Sequence, residues 1–247
     1  MKRVVLTSLL CLLVYCVFLV AHFPARQALG LVDLPANLQI NGVSGTLWQG
    51  NIQQVAYQGI PLDDINWTLD TLPLLWGTAS LNLTAGNIRD ADIISLKSAL
   101  SLSSDRIQAE NLQLYVPVNM VLGQLPIPLP VNADGRFKVQ IAELDYQQGC
   151  QTLSGSGQWL NAKVAGTQGP IDMGTFSARL ACQQKNIRIT VDPNNRLAFD
   201  ANAFITPNGQ FSINGKFKPD ASLPAEVHQA AALFGRANSD GYYSINW

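Results

Sequence analysis

Three stretches decide the fold of this chain: IQQVAY at residues 52–57, INWTL at 65–69 and ASLNLT at 79–84. Apolar and polar residues alternate along each stretch, as they do in β-strands that bury one face. The segments between them, residues 58–61 and 72–77, contain Gly and Pro, which interrupt strands. This spacing predicts an antiparallel meander.

The same alternation continues towards the C-terminus, at residues 98–102, 107–115, 136–144, 155–159, 174–182, 187–191, 197–205 and 210–217. The segments DPNN at 192–195 and TPNG at 206–209 have the residues of hairpin turns. Only residues 221–235 favour a helix, with Pro224 suited to its first turn and Gly235 to its end. We therefore predict a mainly β fold: a curved antiparallel sheet with one short helix near the C-terminus.

An apolar run at residues 4–23 precedes this region. About 20 helical residues cross a hydrocarbon layer of about 30 Å, so we predict a transmembrane helix. A cleaved signal peptide is the alternative, but its apolar region is shorter and no A-x-A-like site follows. Because Lys2 and Arg3 precede the run, the positive-inside rule predicts a cytoplasmic tail at 1–3 and a translocated β domain at 24–247.

Two of the four cysteines, Cys150 and Cys182, lie in the translocated part. An oxidising compartment favours a disulfide between them, and two buried free thiols are the alternative. Closing a loop of about 30 residues contributes about 3 to 4 kcal/mol of stability. The other two, Cys11 and Cys16, lie within the apolar run and are interpreted as apolar fillers.

A proline-rich stretch interrupts the alternation between residues 116 and 131, with Pro126, Pro128 and Pro130 at every second position. Proline lacks the N–H that a central strand donates. We interpret the stretch as an extended crossover that joins two halves of the domain. The alternative is an exposed apolar strip that meets the membrane or a partner.

The residues predict no catalytic, cofactor-binding or metal site, and the chain is not expected to be an enzyme. His228 is the only histidine in the translocated part, and neither Ser44 nor Ser156 has the flanks of a nucleophile elbow. Asp63 and Asp64 are expected in a hairpin turn. The scattered charges, 13% of residues, form no basic stripe for nucleic acid.

The tryptophans are expected to pack in the core, and the alternative is that they form a surface for lipid or for a partner. They are Trp48, Trp67, Trp76, Trp159 and Trp247.

Several motifs together resemble the family of type II secretion system protein N, also called general secretion pathway protein N. They are GTLWQG at residues 45–50, INWTL at 65–69, LLWG at 74–77, LNL at 81–83 and the closing GYYSINW at 241–247. The short cytoplasmic start, the single span and the two cysteines of the β domain are also similar. An opening similar to GTLWQG occurs in AsmA-like inner-membrane proteins, whose β-sheet forms a groove.

The resemblance implies a single-pass inner-membrane protein whose bulk lies in the periplasm. Its function would be that of an accessory component that supports assembly or export of folded proteins across the outer membrane. Its implied partners are other subunits of that system, in the inner-membrane platform or the secretin, and no cofactor is implied. An exposed sheet edge could pair with a partner strand. The alternative function is periplasmic lipid handling, which a continuous apolar concave face would favour.

Overall fold

The computed structural model describes residues 2–31, 34–35, 37–122 and 132–246. Within them lie five α-helices, namely α1 Lys2–Ala21, α2 Ala25–Leu29, α3 Thr71–Leu74, α4 Val118–Leu122 and α5 Ala225–Ala231. The strands are β1 Leu38–Gly45, β2 Gln49–Tyr57, β3 Ile60–Asp70, β4 Ala79–Ala85, β5 Ser95–Leu102, β6 Ile107–Pro117, β7 Ala133–Tyr146, β8 Cys150–Gly166, β9 Gly169–Gln183, β10 Asn186–Val191, β11 Asp200–Ile205, β12 Phe211–Phe217 and β13 Tyr243–Asn246.

All these strands form one antiparallel sheet in sequence order, with β1 and β13 at its edges. Each strand therefore pairs with the next strand along the chain, and the predicted meander is confirmed. Short connections between antiparallel neighbours produce this order without any crossover among the described strands. The sheet is open, because β1 does not pair with β13.

The strand register gives the sheet one polar face and one apolar face. A row of polar or charged residues crosses every strand: Ser44, Asn51, Asn66, Thr84, Lys97, Gln113, Gln140, Ser156, Arg179, Thr190, Asn202, Asn214 and Asn246. Because side chains alternate between faces, neighbouring positions form apolar rows on the other side. One such row contains Leu81, Leu100, Ala109, Leu144 and Leu153.

A second layer covers only part of the apolar face. Near the ends of β8 and β9, Leu223 from the segment before α5 packs on Ala162, Ile171 and Met173. The rings of Phe137, Trp159 and Phe176 extend this core across three strands, with centroids 5.8 and 5.5 Å apart. The accessible surface is 16066 Å², against about 11,000 Å² for a compact monomer of this size. This excess reflects the exposed α1 and the sparsely covered sheet.

Several predicted boundaries differ from the structure. The helix expected at residues 221–235 is α5 at Ala225–Ala231, and the strand expected at 155–159 extends over Cys150–Gly166. Helix α1 ends at Ala21 and not at residue 23. The strand expected from residue 197 begins at Asp200, because the Asn195 side chain accepts hydrogen bonds from the N–H groups of Leu197 and Phe199 and holds them in a turn.

Several local predictions were wrong. Asp63 and Asp64 lie inside β3 and not in a hairpin turn, since the turn falls at residues 58–59. The glycines beside Ser44 and Ser156 look like turn residues in the sequence, but they lie within β1 and β8. Helices α2, α3 and α4 and strand β13 were not predicted. Pro126, Pro128 and Pro130 lie outside the described residues, and the strands on either side of them, β6 and β7, are direct neighbours.

Candidate functional site

The β1–β2 hairpin has a tight tip that contains the GTLWQG motif. Gly45, at a φ of +92°, pairs with Gly50. A Cβ on Gly45 would lie 2.6 Å from the Gly50 Cα, and a Cβ on Gly50 would lie 2.4 Å from an atom of the Trp67 ring. Both glycines are therefore needed, because the two backbones and the Trp67 ring occupy the space of any side chain.

This hairpin tip binds the C-terminal end of α1. The Trp48 indole donates a 2.8 Å hydrogen bond from Nε1 to the Val20 carbonyl, in the last turn of the helix. The Leu47 N–H donates to the Phe23 carbonyl at 2.9 Å, and Pro24 forms a bridge with Thr46. The last carbonyls of a helix lack partners within it, so these contacts satisfy groups that otherwise need water. Sheet and helix are thus joined by hydrogen bonds as well as by the chain.

Helix α1 has no charged residue from Val4 to its end, and only Thr7 and Ser8 interrupt its apolar residues there. The span Val4–Ala21 is long and apolar enough to cross a membrane, and none of it is buried against the protein. A helix that is apolar all round and unburied in water would be unstable, whereas in lipid the same surface is solvated. These features fit a single-pass membrane anchor.

The connection from β3 to β4 lies at the same end of the sheet as the hairpin tip. It contains α3 and three large apolar side chains that are mostly exposed: Leu72 at 68%, Leu75 at 76% and Trp76 at 76%. Its position is set by β3, where the Leu69 N–H donates to the Trp48 carbonyl at 2.7 Å. The membrane-proximal end of the first two hairpins is therefore strongly apolar.

The predicted disulfide between Cys150 and Cys182 is present, with the two Cα atoms 5.4 Å apart. It joins the start of β8 to the end of β9, and Cys150 is buried. The Cys150 N–H also donates to the Lys185 carbonyl at 2.8 Å. The bond therefore closes the hairpin of the two longest neighbouring strands.

The two edge strands have different surroundings. Strand β1 is accompanied by α2, whose Ala25 is buried. Strand β13 has four residues, pairs with β12 and contacts the short 3-10 helix Ala232–Phe234, while its other side has no strand neighbour in the described part of the chain. An unpaired edge offers backbone N–H and C=O groups to an incoming strand.

Comparison with known families decides what this architecture belongs to. Residues 36–246 match the family described as type II secretion system (T2SS), protein N. The chain belongs to this family. Two relatives named type II secretion system protein N, from Vibrio cholerae and Pectobacterium carotovorum, are each 27% identical over the whole chain and over 98% and 97% of their own lengths. A third, from Aeromonas hydrophila, is 25% identical over the whole chain and 98% of the relative. No solved structure matches.

In this member of the type II secretion system protein N family, three of the five quoted motifs meet at one end of the sheet. GTLWQG forms the tip that holds α1, the Trp67 of INWTL covers Gly50 and donates from Nε1 to the Leu47 carbonyl at 3.1 Å, and LLWG forms the exposed connection. Sequence reasoning did not predict this meeting point, because the Trp48 contact with Val20 joins residues 28 positions apart. The signal that could have found part of it is LLWG, an apolar run in a segment expected to be a loop.

The tryptophans expected in the core differ in their environments. Trp159 packs on the core and donates from Nε1 to the Asp134 carbonyl at 3.0 Å. Trp48 and Trp67 are half-buried at the hairpin tip, whereas Trp76 is exposed, so the core expectation was wrong for Trp76. Trp247 lies outside the described residues.

The polar groups of this family member make structural contacts. Within the described residues, no three His, Cys, Asp or Glu side chains are grouped as metal ligands. His228 lies on α5. Asp63 Oδ1 accepts a 2.8 Å hydrogen bond from the Gln54 side chain on the neighbouring strand. The absence of catalytic, cofactor and metal sites remains a prediction from the sequence.

Two carboxyl groups are held in their charged form. Arg106 donates from Nε and Nη2 to both Asp145 oxygens, at 2.8 and 2.5 Å, and thereby lowers the pKa of Asp145. The hydroxyl and N–H of Ser222 lower the pKa of Asp220, with the N–H donating at 2.8 Å. The first pair ties β6 to β7, and the second shapes the turn before α5.

Proposed function

We propose that this protein is an accessory inner-membrane component of the type II protein secretion system. It would support the assembly of the machine or the export of folded proteins across the outer membrane. The observation that carries the proposal is the family match over residues 36–246, and helix α1 lies N-terminal to the matched region. The full-length relatives are named as components of this system.

The orientation we propose has the N-terminus in the cytoplasm and the sheet in the periplasm. Lys2 and Arg3 precede α1, and Arg26 is the first basic residue after it. Positive residues favour the cytoplasmic side of a membrane helix. The disulfide supports the same orientation, since disulfides persist in the periplasm and are rare in the cytoplasm.

The proposed mechanism is scaffolding by strand addition. The open side of β13 would accept an extended segment from another secretion subunit, in the inner-membrane platform or the secretin. Four residues offer few main-chain hydrogen bonds, so we expect this pairing to be weak and reversible. Such a scaffold needs no catalytic group.

Lipid handling is the second function that the sequence suggested. The continuous apolar face of the sheet is a feature that an acyl-chain-binding protein would share. The relatives, however, are named as secretion proteins, and the family match does not favour the lipid-handling alternative. We therefore treat lipid on this face as an outcome of the test.

The test is site-specific photocrosslinking in intact cells, followed by mass spectrometry of protein and lipid adducts. The photoreactive residue replaces Ser244 or Asn246 on β13, and Asn82, exposed on the central strand β4, is the matched control. Adducts to secretion subunits from the two β13 positions, and not from Asn82, are expected. Finding no secretion subunit from any position would overturn the proposal, and predominant phospholipid adducts from apolar positions such as Leu100 would favour lipid handling.

A further inference from the structure

The connection between β3 and β4, residues 71–78, has an unusual surface for a loop. Its sequence TLPLLWGT has no charged residue. Leu72, Leu75 and Trp76 are each more than two thirds exposed. Loops that face water are normally polar, and a contiguous exposed apolar patch marks an interaction site.

The backbone of this loop forms several hydrogen bonds within the loop itself. The N–H groups of Leu75, Trp76 and Gly77 donate to the carbonyls of Leu72, Pro73 and Leu74 at 3.0 to 3.1 Å. The Thr78 N–H also donates to Pro73, at 3.1 Å, and Gly77 closes the turn at a φ of +75°. Backbone that enters lipid must pair its own polar groups, since lipid offers no partners. Four N–H groups of this loop are paired in this way, which lowers the cost of placing this part of the backbone at the bilayer surface.

The loop lies beside the point where α1 ends. Leu69, two residues before the loop, donates its N–H to the Trp48 carbonyl, and the Trp48 indole donates to Val20 in α1. Neighbouring strands lie about 4.8 Å apart, so the loop is about two strands from the anchor. It is thus at the level of the helix end.

The other loops at this end of the sheet are polar. In an antiparallel meander, alternate connections share one end, and those beyond the β3–β4 loop have the sequences SSDR at 103–106, QQG at 147–149, QK at 184–185 and TPNGQ at 206–210. Apolar loop sequence is therefore found next to α1, and farther along this end only single strand-end residues such as Leu102, Ile107 and Phe211 are exposed and apolar. The apolar character of the loops thus decreases with distance from α1. This gradient indicates that the bilayer which α1 enters contacts the β3–β4 loop, because a surface that faced water, or one that served the whole end of the sheet, would not change with distance from the helix.

We propose that residues 71–78 form a second membrane contact, with Leu72, Leu75 and Trp76 inserted into the interfacial region of the phospholipid bilayer beside α1. Trp and Leu are the side chains suited to that depth. The proposal depends on the membrane anchorage stated above. Together with the contact between hairpin tip and helix, it fixes the tilt of the sheet against the membrane, which a single helix does not do.

The test uses the full chain with Cys11→Ala and Cys16→Ala, reconstituted in phospholipid vesicles, with the native disulfide oxidised. A polarity-sensitive fluorophore is attached to one new cysteine at a time: Trp76→Cys in the loop, Leu13→Cys in α1, Ser104→Cys in a polar loop at the same end, and Phe211→Cys, which is exposed and apolar but far along the sheet. Quenching is measured at each position with lipids that carry a spin label near the headgroup, and for position 13, in the middle of α1, with lipids that carry the label near the end of the acyl chain.

The expected result is a blue-shifted, quenched emission at position 76 and at position 13, with unquenched emission at positions 104 and 211. If position 13 is quenched and position 76 behaves like position 104, the second contact is overturned and the anchorage stands. If position 13 is not quenched, the anchorage itself fails. Photoreactive Trp76 variants in cells are expected to give phospholipid adducts, and protein adducts in their place would also overturn the proposal.

Discussion

The first two hairpins and the β7–β9 region belong to one sheet but are built for different surroundings. In β1–β4, the apolar surface lies at the loop ends, with Leu75 and Trp76 exposed and Trp48 bound to the helix end. In β7–β9, the strands are the longest, the apolar side chains are covered by the segment around Leu223, and a disulfide closes the hairpin. The first two hairpins therefore carry the proposed membrane contact, whereas the β7–β9 region contributes the covered core and the disulfide that stabilise the fold.

The largest effect is expected from removal of the disulfide. Replacing Cys150 and Cys182 with Ser frees a loop with a sequence separation of 32 and should lower the free energy of unfolding by about 3 to 4 kcal/mol. Urea unfolding of the full chain in detergent measures it, with Cys11→Ala and Cys16→Ala as the matched control. Membrane quenching at position 76 should be unchanged under native conditions. Full stability of the double variant would contradict the role assigned to β8 and β9.

A smaller loss is expected from the core. Leu223→Ala removes buried contacts with Ala162, Ile171 and Met173, so we expect a loss of about 2 to 4 kcal/mol. Leu233→Ala, in the same C-terminal segment but 73% exposed, is the control and should change stability by less than about 0.5 kcal/mol. Equal effects of the two substitutions would show that this segment does not form the core described above.

A substitution at the hairpin tip tests the other region. Gly50→Ala places a methyl group 2.4 Å from the Trp67 ring and 2.5 Å from the Ser44 carbonyl, so Trp67 must move, at a cost of about 1 to 3 kcal/mol. Gly157→Ala in β8 is the matched strand glycine, and its Cβ would meet nothing within 4 Å. Thermal unfolding should show a loss for the first variant only. If both glycines tolerate alanine, the tip is looser than the geometry indicates.

The smallest expected effect concerns pH. The Arg106 hydrogen bonds lower the pKa of Asp145 below its ordinary 3.8, so the folded state favours the carboxylate. The stability from this pair is fully present above the ordinary pKa and is lost as the pH falls through the lower pKa of the folded state. Unfolding measured across that acidic window should depend less on pH in Asp145→Asn than in the native chain. An unchanged pH dependence would exclude the pair as a contributor.

The sequence predicted most strands, because a half-covered sheet has a period of two that apolar residues such as Leu81, Leu83 and Leu100 make visible. It did not distinguish Gly45 within a strand from Gly in a turn, since both positions permit a positive φ. Helix α3 was missed because its apolar residues face outward and follow no periodicity. The contact of Trp48 with Val20 depends on tertiary structure, which local pattern does not encode.

The central claim, that this protein is a component of type II secretion, is tested most directly by secretion itself. The chromosomal copy of the chain is deleted and then restored with the full chain, and the fraction of a type II substrate protein in the medium is measured. We expect the deletion to lower that fraction and the full chain to restore it. A secreted fraction that does not change on deletion would contradict the account.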